Sequence, residues 1–385
     1  WEIYLTMADN LASFKIFCQG GLNTSRDVLS QGETAPGSAI KLTNYEPSVT
    51  GGYRKINGFS NDFGTVTGTG SVLGVCVANG INDGILACRT PSSGNNYLHK
   101  WNNSTSAWDA ITTSGSPTMS GVTKVRFTKY NFGSPKVILT DGVNPAATYD
   151  GSTYTQITHA SAPDDPKVSA VFQNHMFLAG DPNEDTNLYF SAPLAETDFS
   201  AANGSGVINV GFPVVAIKTF RDALFIFGSN NIRKLVGNNI SNFVLESVTD
   251  NLGCLATDSV IEIGGDLLFL SQDGLRPVSG TDKIGDVNLE TVSKDIQSVF
   301  TDVVFDIDLD GLNAVVIRGK SQFRYFFAAA DTQGVIGGFR QTPNGLQFEY
   351  GQLLGITATC ADSGYIGQNE FVLHGDSTGK VYRQE

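Results

Sequence analysis

The stretch LGVCVANGINDGILACRT (Leu73–Thr90) reads as two apolar strands, LGVCVAN and ILACRT, folded back on one another across the polar turn GINDG. YLHKW and AWDAIT follow, separated by NNSTS, and complete a unit of four antiparallel strands. The same plan recurs along the chain. Second strands open at Ile85, Lys136, Met176, Ala223, Leu267, Phe323 and Phe371, at successive separations of 51, 40, 47, 44, 56 and 48 residues. That is the length of one four-stranded sheet with its loops, so the expected fold is all-β: a single β-propeller of about seven blades, with six or eight also compatible.

The second unit offers VRFTKYNF, KVILTDG, AATYDG and TYTQIT; the third VSAVFQN, MFLAGD, NLYFSA and VINVG; the fourth VVAIKTF, ALFIFGS, IRKLVG and FVLESV. The fifth departs from the plan after Val278. In GTDKIGDVNLETVSKDIQSVF (280–300), Val292, Ile296 and Val299 fall at helical spacing behind Asn288 as a cap, predicting a short helix near 288–300 in place of the outer strand. The sixth unit has NAVVIRG, FRYFFAA, VIGGFR and LQFEYG, whereas the seventh supplies only three strands before Glu385. An unpaired sheet edge is costly. The unassigned segment GYRKINGF (52–59) is therefore expected to close the ring as the missing strand. The domain reading is an N-terminal extension at 1–19, a segment at 20–65 that contains this strand, and the propeller at 66–385. Met7-Ala8-Asp9 looks like a translation start, which makes Trp1–Thr6 an expected non-native or upstream extension.

Composition narrows the function classes. At 385 residues the chain exceeds the usual single core, and repetition of a small unit is what makes one domain of this size reasonable. No run of about 18 apolar residues is present, so no membrane insertion is expected. With 25 basic against 38 acidic residues the formal charge is −13, unfavourable for gripping a phosphate backbone. An acidic surface suits a duplex that must slide past without sticking. Cys18, Cys76, Cys88, Cys254 and Cys360 are odd in number and lack CxxC spacing, so they read as reduced core thiols, with a Cys76–Cys88 bridge as the less favoured option.

No residue set carries a catalytic, cofactor or metal assignment. Asp306, Asp308 and Asp310 begin like a calcium loop, but the twelfth position is Ile317 where a bidentate Glu belongs, so a solvated acidic loop is favoured. Asp181, Asn183 and Asp185 alternate similarly in a loop where Asx turns suffice. His99, His159, His175 and His374 lie in four different repeats and read as exposed or core-edge side chains. Ser271-Gln272-Asp273-Gly274 matches only the start of a sialidase aspartate box, and a hairpin turn explains it. No GxSxG elbow or phosphate loop occurs, and neighbours such as Asp164 and Asp165 define no glycosidase pair without their spatial separation. The chain is expected not to be an enzyme.

The stretch GGLNTSRDVLSQGETAPGSAIKLTNYEPSVTGGYRKINGF (Gly20–Phe59) resembles the opening of tailed-bacteriophage virion propellers. FRDALFIFGSNNIRKLVG (Phe220–Gly237), the Gly253-Cys254 pair and GGDLLFLSQDGLRPVSG (Gly264–Gly280) resemble the central blades of podovirus tail nozzle or tail hub proteins of the tail tubular protein B type. That resemblance implies a structural tail protein assembled in the host cytoplasm and carried in the virion. It further implies a homo-oligomeric ring, commonly a hexamer, below the portal adaptor. Its partners would be adaptor and fibre proteins, with genomic DNA passing through the lumen without specific binding. The large inserted tip domains of the longest nozzle proteins are lacking, and Thr281–Phe300 is the expected docking excursion. Two alternatives stay open: a receptor- or glycan-binding virion propeller, which requires aromatics such as Tyr97, Trp101 and Trp108 exposed at one rim, and a propeller glycosidase, which requires carboxylates converging on the central funnel.

Overall fold

Successive side chains of a strand point to opposite faces of its sheet, and that alternation sets how the sheets stack. In Ile85–Thr90, Leu86 and Cys88 join one apolar cluster while Ile85 and Ala87 join another. In Asp266–Ser271, Leu268 and Leu270 face one way and Leu267 and Phe269 the other. Every sheet is therefore greasy on both faces and must be covered twice, which a closed ring of sheets achieves.

The computed structural model describes residues 18–34, 37–48, 52–94, 97–115, 117, 119–281, 291–306, 309–327, 333–342 and 345–384. Seven sheets form a seven-bladed β-propeller. Blade 1 spans Thr69–Val77 to Ala107–Ala110, blade 2 Arg126–Asn131 to Thr153–Gln156, blade 3 Val168–Phe172 to Gly206–Asn209 and blade 4 Ala216–Phe220 to Val244–Thr249. Blade 5 runs from Ile261–Ile263 to Gly274–Pro277, blade 6 from Asn313–Ile317 to Gly345–Leu353 and blade 7 from Cys360–Ile366 to Val381–Gln384. Seven apolar clusters fill the seven gaps between neighbouring blades, the last joining Leu373 and Val381 of blade 7 to Val75 and Ile85 of blade 1. Each buried Leu, Phe or Ile contributes roughly 1.5–3 kcal/mol.

Hydroxyls and amides stitch the innermost strands into a hoop. Thr128 Oγ1 donates to Ser169 O at 3.0 Å, Thr219 Oγ1 to Val171 O at 2.6 Å and Thr359 Oγ1 to Val72 O at 2.7 Å. Tyr325 hydroxyl donates to Ser259 O at 2.6 Å across the gap between blades 5 and 6.

Three sequence expectations change in detail. The segment 52–59 does not enter blade 7 as one strand: Tyr53–Lys55 pairs with Tyr45–Pro47 in a separate ribbon, and only Phe59–Ser60 pairs with Val381–Gln384. Gly58 at φ +97° breaks the strand between them. Blade 2 gains a fifth strand, since Thr112–Thr113 pairs in parallel with Thr153–Tyr154, and blade 5 has three strands among the described residues. The helix comes later than predicted. Val292 N–H still bonds Leu275 O at 2.9 Å and Leu275 N–H bonds Ser293 Oγ at 3.0 Å, so the chain follows the edge of blade 5 before a 3-10 turn at Lys294–Ile296 and the helix Gln297–Asp306. Ile296, Val299 and Phe300 pack into the cluster between blades 5 and 6. Asn288 and much of the 281–300 excursion lie outside the described residues.

Candidate functional site

The inner edges of all seven blades line an axial channel with at most roughly 880 Å³ of free space, counting the open solvent at its mouth. Asp258 of blade 5 is clamped there by Arg126, whose Nε and Nη2 reach the two carboxylate oxygens at 2.9 and 2.8 Å, and by Lys124 Nζ at 2.8 Å. Lys124 spends its other donors on Asp310 O and Leu312 O, both at 2.9 Å. Burial opposes ionisation of Asp258, but Arg126 and Lys124 outweigh it and hold the carboxyl well below the usual range. On the blade 7 side Asp362 accepts from Lys129 Nζ at 2.9 Å and from Val77 N–H at 2.8 Å. Burial disfavours the Lys129 charge, yet Asp362 holds its ammonium above the ordinary value. Asp258 is thus a counterion rather than a poised acid. Lys218 of blade 4 also reaches into the channel.

The second site is the segment that precedes the first blade. The described residues between 20 and 60 run as a strap over the outer edges of blades 6 and 7. Leu22 N–H bonds Tyr350 O at 2.7 Å, Gln352 N–H bonds Leu42 O at 2.8 Å and Asn44 N–H bonds Gln352 O at 2.8 Å, so the edge strand Gly345–Leu353 is covered. Gly21, at φ +68°, comes so near this strand that an added Cβ would lie 2.6 Å from Tyr350 N, hence a residue without one. Tyr53 hydroxyl accepts from Gly21 N–H at 2.5 Å and donates to Glu349 at 3.2 Å. Glu349 in turn pairs with Arg340 at 2.7 Å. The buried Glu46 carboxylate gathers Arg54 at 2.7 Å, Lys320 at 3.0 Å and Arg324 at 3.6 Å. Ile56 drops into the cluster between blades 6 and 7, and Phe59 stands edge-on to Tyr382 and His374 at 5.0 and 5.2 Å.

The residues singled out by sequence scatter. Trp101 and Trp108 are buried between blades 7 and 1, Trp108 Nε1 donating to Phe63 O at 2.7 Å, while Tyr97 is half-buried; the two tryptophans form no exposed aromatic rim. Asp310 pairs with Lys167 at 2.7 Å, and Asp308 lies outside the described residues. No cluster of metal-ligating side chains occurs among the described residues. Asp181 accepts from Asn183 N–H as an Asx turn does and from the distant Asp165 N–H with its other oxygen. Gln272-Asp273 is the two-residue turn between Ser271 and Gly274. Cys76 stands opposite Leu86 and Cys88 opposite Gly74, both thiols free and in the core between blades 1 and 2. Sequence reasoning missed the Glu46 cluster and the channel charges, because partners such as Glu46 and Lys320 lie hundreds of residues apart.

Histidines are more buried than expected: His99, His175 and His374 are all in the interior. His374 stacks on Tyr382 and Phe326 and takes a bond between Nδ1 and Gln384 Nε2 at 3.2 Å. Burial pushes its pKa down to about 4; Asp376 pulls upward and Arg324 downward. A depressed folded pKa means that its contribution is whole above the unfolded value near 6.5 and is lost as pH falls toward 4, about 3 kcal/mol over that window. Urea unfolding at pH 7 and pH 4.5 is expected to show a steeper loss in the native chain than in His374→Phe; equal slopes would remove this assignment.

Among the described residues no helix is long and apolar enough to cross a membrane. No family model matches the chain, and no curated protein matches it. Among solved structures it is similar to the extracellular domain of a putative hybrid two-component system from B. thetaiotaomicron, at 13% identity and TM-score 0.50 over 84% of this chain and 39% of that one. The extracellular domain of a putative one-component system from the same organism gives 12% and 0.49 over 85% and 40%. A computationally designed protein, Ika8, gives 8% and 0.42 over 84% and 99%. The chain spans about two fifths of each of the two B. thetaiotaomicron chains, and at such identity the likeness concerns the fold alone.

Proposed function

We propose that this chain is a structural protein of a bacteriophage tail, a nozzle- or hub-like propeller that joins copies of itself in a ring, touches adaptor and fibre proteins and performs no chemistry. The strap carries this reading. Gly20–Phe59 is the stretch that resembles the opening of tailed-phage propellers, and its distinctive residues are spent on holding sheets. Gly21 permits close approach to Tyr350, Glu46 and Arg54 pair, Tyr53 links Gly21 to Glu349, and Ile56 fills an inter-blade gap. Shared residues of an enzyme would converge instead on a reacting atom. The channel carboxylates favour the same view, since Asp258, held ionised, is unsuited to donate the proton a glycosidase needs.

DNA would not pass along the propeller axis. A bore merely as wide as one DNA major groove, about 12 Å, over a strand length of about 17 Å needs roughly 2,000 Å³, more than double the channel's 880 Å³. The duplex path belongs to the lumen between several chains, where a net charge of −13 repels phosphate. The glycan-binding alternative loses Trp101 and Trp108 to the core.

Light scattering on the purified chain, followed by negative-stain imaging, is expected to give rings with a bore wider than a duplex, and an antibody is expected to label the tail of intact virions. A chain that stays monomeric at high concentration and labels no virion would overturn the proposal.

A further inference from the structure

A second cavity opens between the loop 159–167, which leads from blade 2 into blade 3, and the turn 180–186 of blade 3; it has at most roughly 640 Å³ of free space, open solvent included. Asp164, Asp181 and Glu184 line it, and Asp165 stands beside them, its N–H donating to Asp181 Oδ2 at 3.0 Å. None of these four carboxylates has an ion pair among the described residues. The flanking basic side chains are committed elsewhere. Lys167 Nζ pairs with Asp310 at 2.7 Å, and His159 lies between Ser161 N–H and Ser200 Oγ, each at 3.1 Å. Burial raises the Asp165 pKa, and Asp181, Asp164 and Asp141 raise it further with no cation opposing them. Like charge gathered in a half-enclosed space carries a free-energy cost that a bound cation relieves.

One further group points to a ligand. Tyr189, on the third strand of blade 3, is only 8% exposed, yet its hydroxyl has no hydrogen bond to any described residue and meets the cavity instead of being sealed in the core. A buried phenol is ordinarily hydrogen-bonded, so this oxygen is a spare acceptor in an acidic cavity. Pro163 and Ala162 add an apolar wall. Among the described residues no three ligating side chains come together closely enough to hold a metal ion, whereas an ammonium on a methylene chain takes separated acceptors one N–H at a time.

We infer that this cavity binds an organic cation of the aliphatic diamine class, with an ammonium held by Asp164, Glu184 and the Tyr189 hydroxyl and the methylenes against Ala162 and Pro163. Asp181 holds the turn through Asn183 N–H and Asp165 N–H and contributes charge. Bound there, the cation would tie the exit loop of blade 2 to blade 3. This inference does not depend on the tail assignment.

Calorimetric titration with putrescine in about 0.15 M salt, which screens diffuse attraction to an acidic chain, tests it. The native chain is expected to bind one putrescine saturably and not to bind the neutral butanediol. Asp164→Asn removes an exposed carboxylate that makes no bond within the described fold, and is expected to bind at least about tenfold more weakly. Asp222→Asn, at the exposed turn between Phe220 and Ala223 of blade 4, is expected to bind like the native chain. Equal affinity in the Asp164 and Asp222 variants, displacement of putrescine by an equal concentration of magnesium, or no saturable binding by the native chain overturns the inference. Tyrosine-ring NMR of the native protein gives a readout independent of any variant's folding. The Tyr189 resonance is expected to move on putrescine addition, and one that stays in place overturns the site.

Discussion

Glu46→Gln is expected to cost about 3–5 kcal/mol of unfolding free energy at neutral pH, the penalty for leaving a buried cation without its counterion. Arg324, whose side chain is 0% exposed, is the cation at stake. Its remaining bonds, from Nη1 to Gln384 Oε1 at 2.6 Å and from Nε to Gln322 Oε1 at 3.4 Å, are to neutral amide oxygens that orient it without cancelling its charge. Burial already pushes the Arg324 pKa down to about 10 against the pull of Glu46. The Glu46 carboxyl is itself disfavoured by burial, and bonds from Lys320 and Arg54 outweigh this to hold it below its ordinary value. Its stabilisation is therefore present above the unfolded carboxylate range and lost as pH falls through the folded pKa. The strap, blade 6 and blade 7 meet at this point, because Gln384 passes the contact on to His374. Guanidinium unfolding at pH 7 measures the loss, with the slope unchanged. Arg324→Met added to Glu46→Gln is expected to recover part of it, since it removes the buried guanidinium left without a counterion. A single variant within 1 kcal/mol of the native chain would mean the cluster is not what anchors the strap.

The ring was legible because propeller strands obey a local rule. The near-continuous apolar runs LGVCVAN, KVILT, MFLA and FVLHG follow from burial on both faces, and hairpin turns such as Gln272-Asp273 sit between partners close in sequence. Boundaries blurred where a long-range partner decided the matter. Val292 has helical spacing from Ile296, but its N–H is claimed by Leu275 O, and no periodicity encodes that bond. Likewise Tyr53–Lys55 has the composition of a closing strand, and Tyr45–Pro47 takes it first. The helix Val28–Thr34 carries glycine at position 32 and was not anticipated. Channel charges were invisible for a related reason: Arg126, Lys218 and Asp362 look like ordinary surface residues until closure of the ring turns the inner strands toward the axis. Trp101 and Trp108, whose exposure a glycan-binding propeller would require, instead pack edge-on at 5.5 Å inside the core.

Deletion of residues 52–59 is expected to abolish cooperative folding altogether. It removes four attachments at once: the Tyr53 bridge between Gly21 and Glu349, the Arg54 partner of Glu46, Ile56 in the gap between blades 6 and 7, and the Phe59 end of the closing pair. Tyr53, Ile56 and Phe59 alone represent several kcal/mol of apolar burial, comparable with the whole stability of an ordinary domain, about 5–15 kcal/mol. The last strand, Val381–Gln384, then loses its outer partner and becomes an exposed edge with free main-chain donors and acceptors. A ring amplifies this, since blade 7 also covers Val75 and Ile85 of blade 1, so opening one edge uncovers both its faces. Hydrogen exchange is expected to show protection failing first at 381–384, and size-exclusion chromatography to show aggregates in place of a single species. The milder Phe59→Ala, at a side chain still 42% exposed, is expected to lose only about 1–2 kcal/mol and keep the closing pair. If the deleted chain instead unfolds cooperatively at the native midpoint, the propeller is closed by the packing of blades 7 and 1 alone, and the strap is a passenger on its surface.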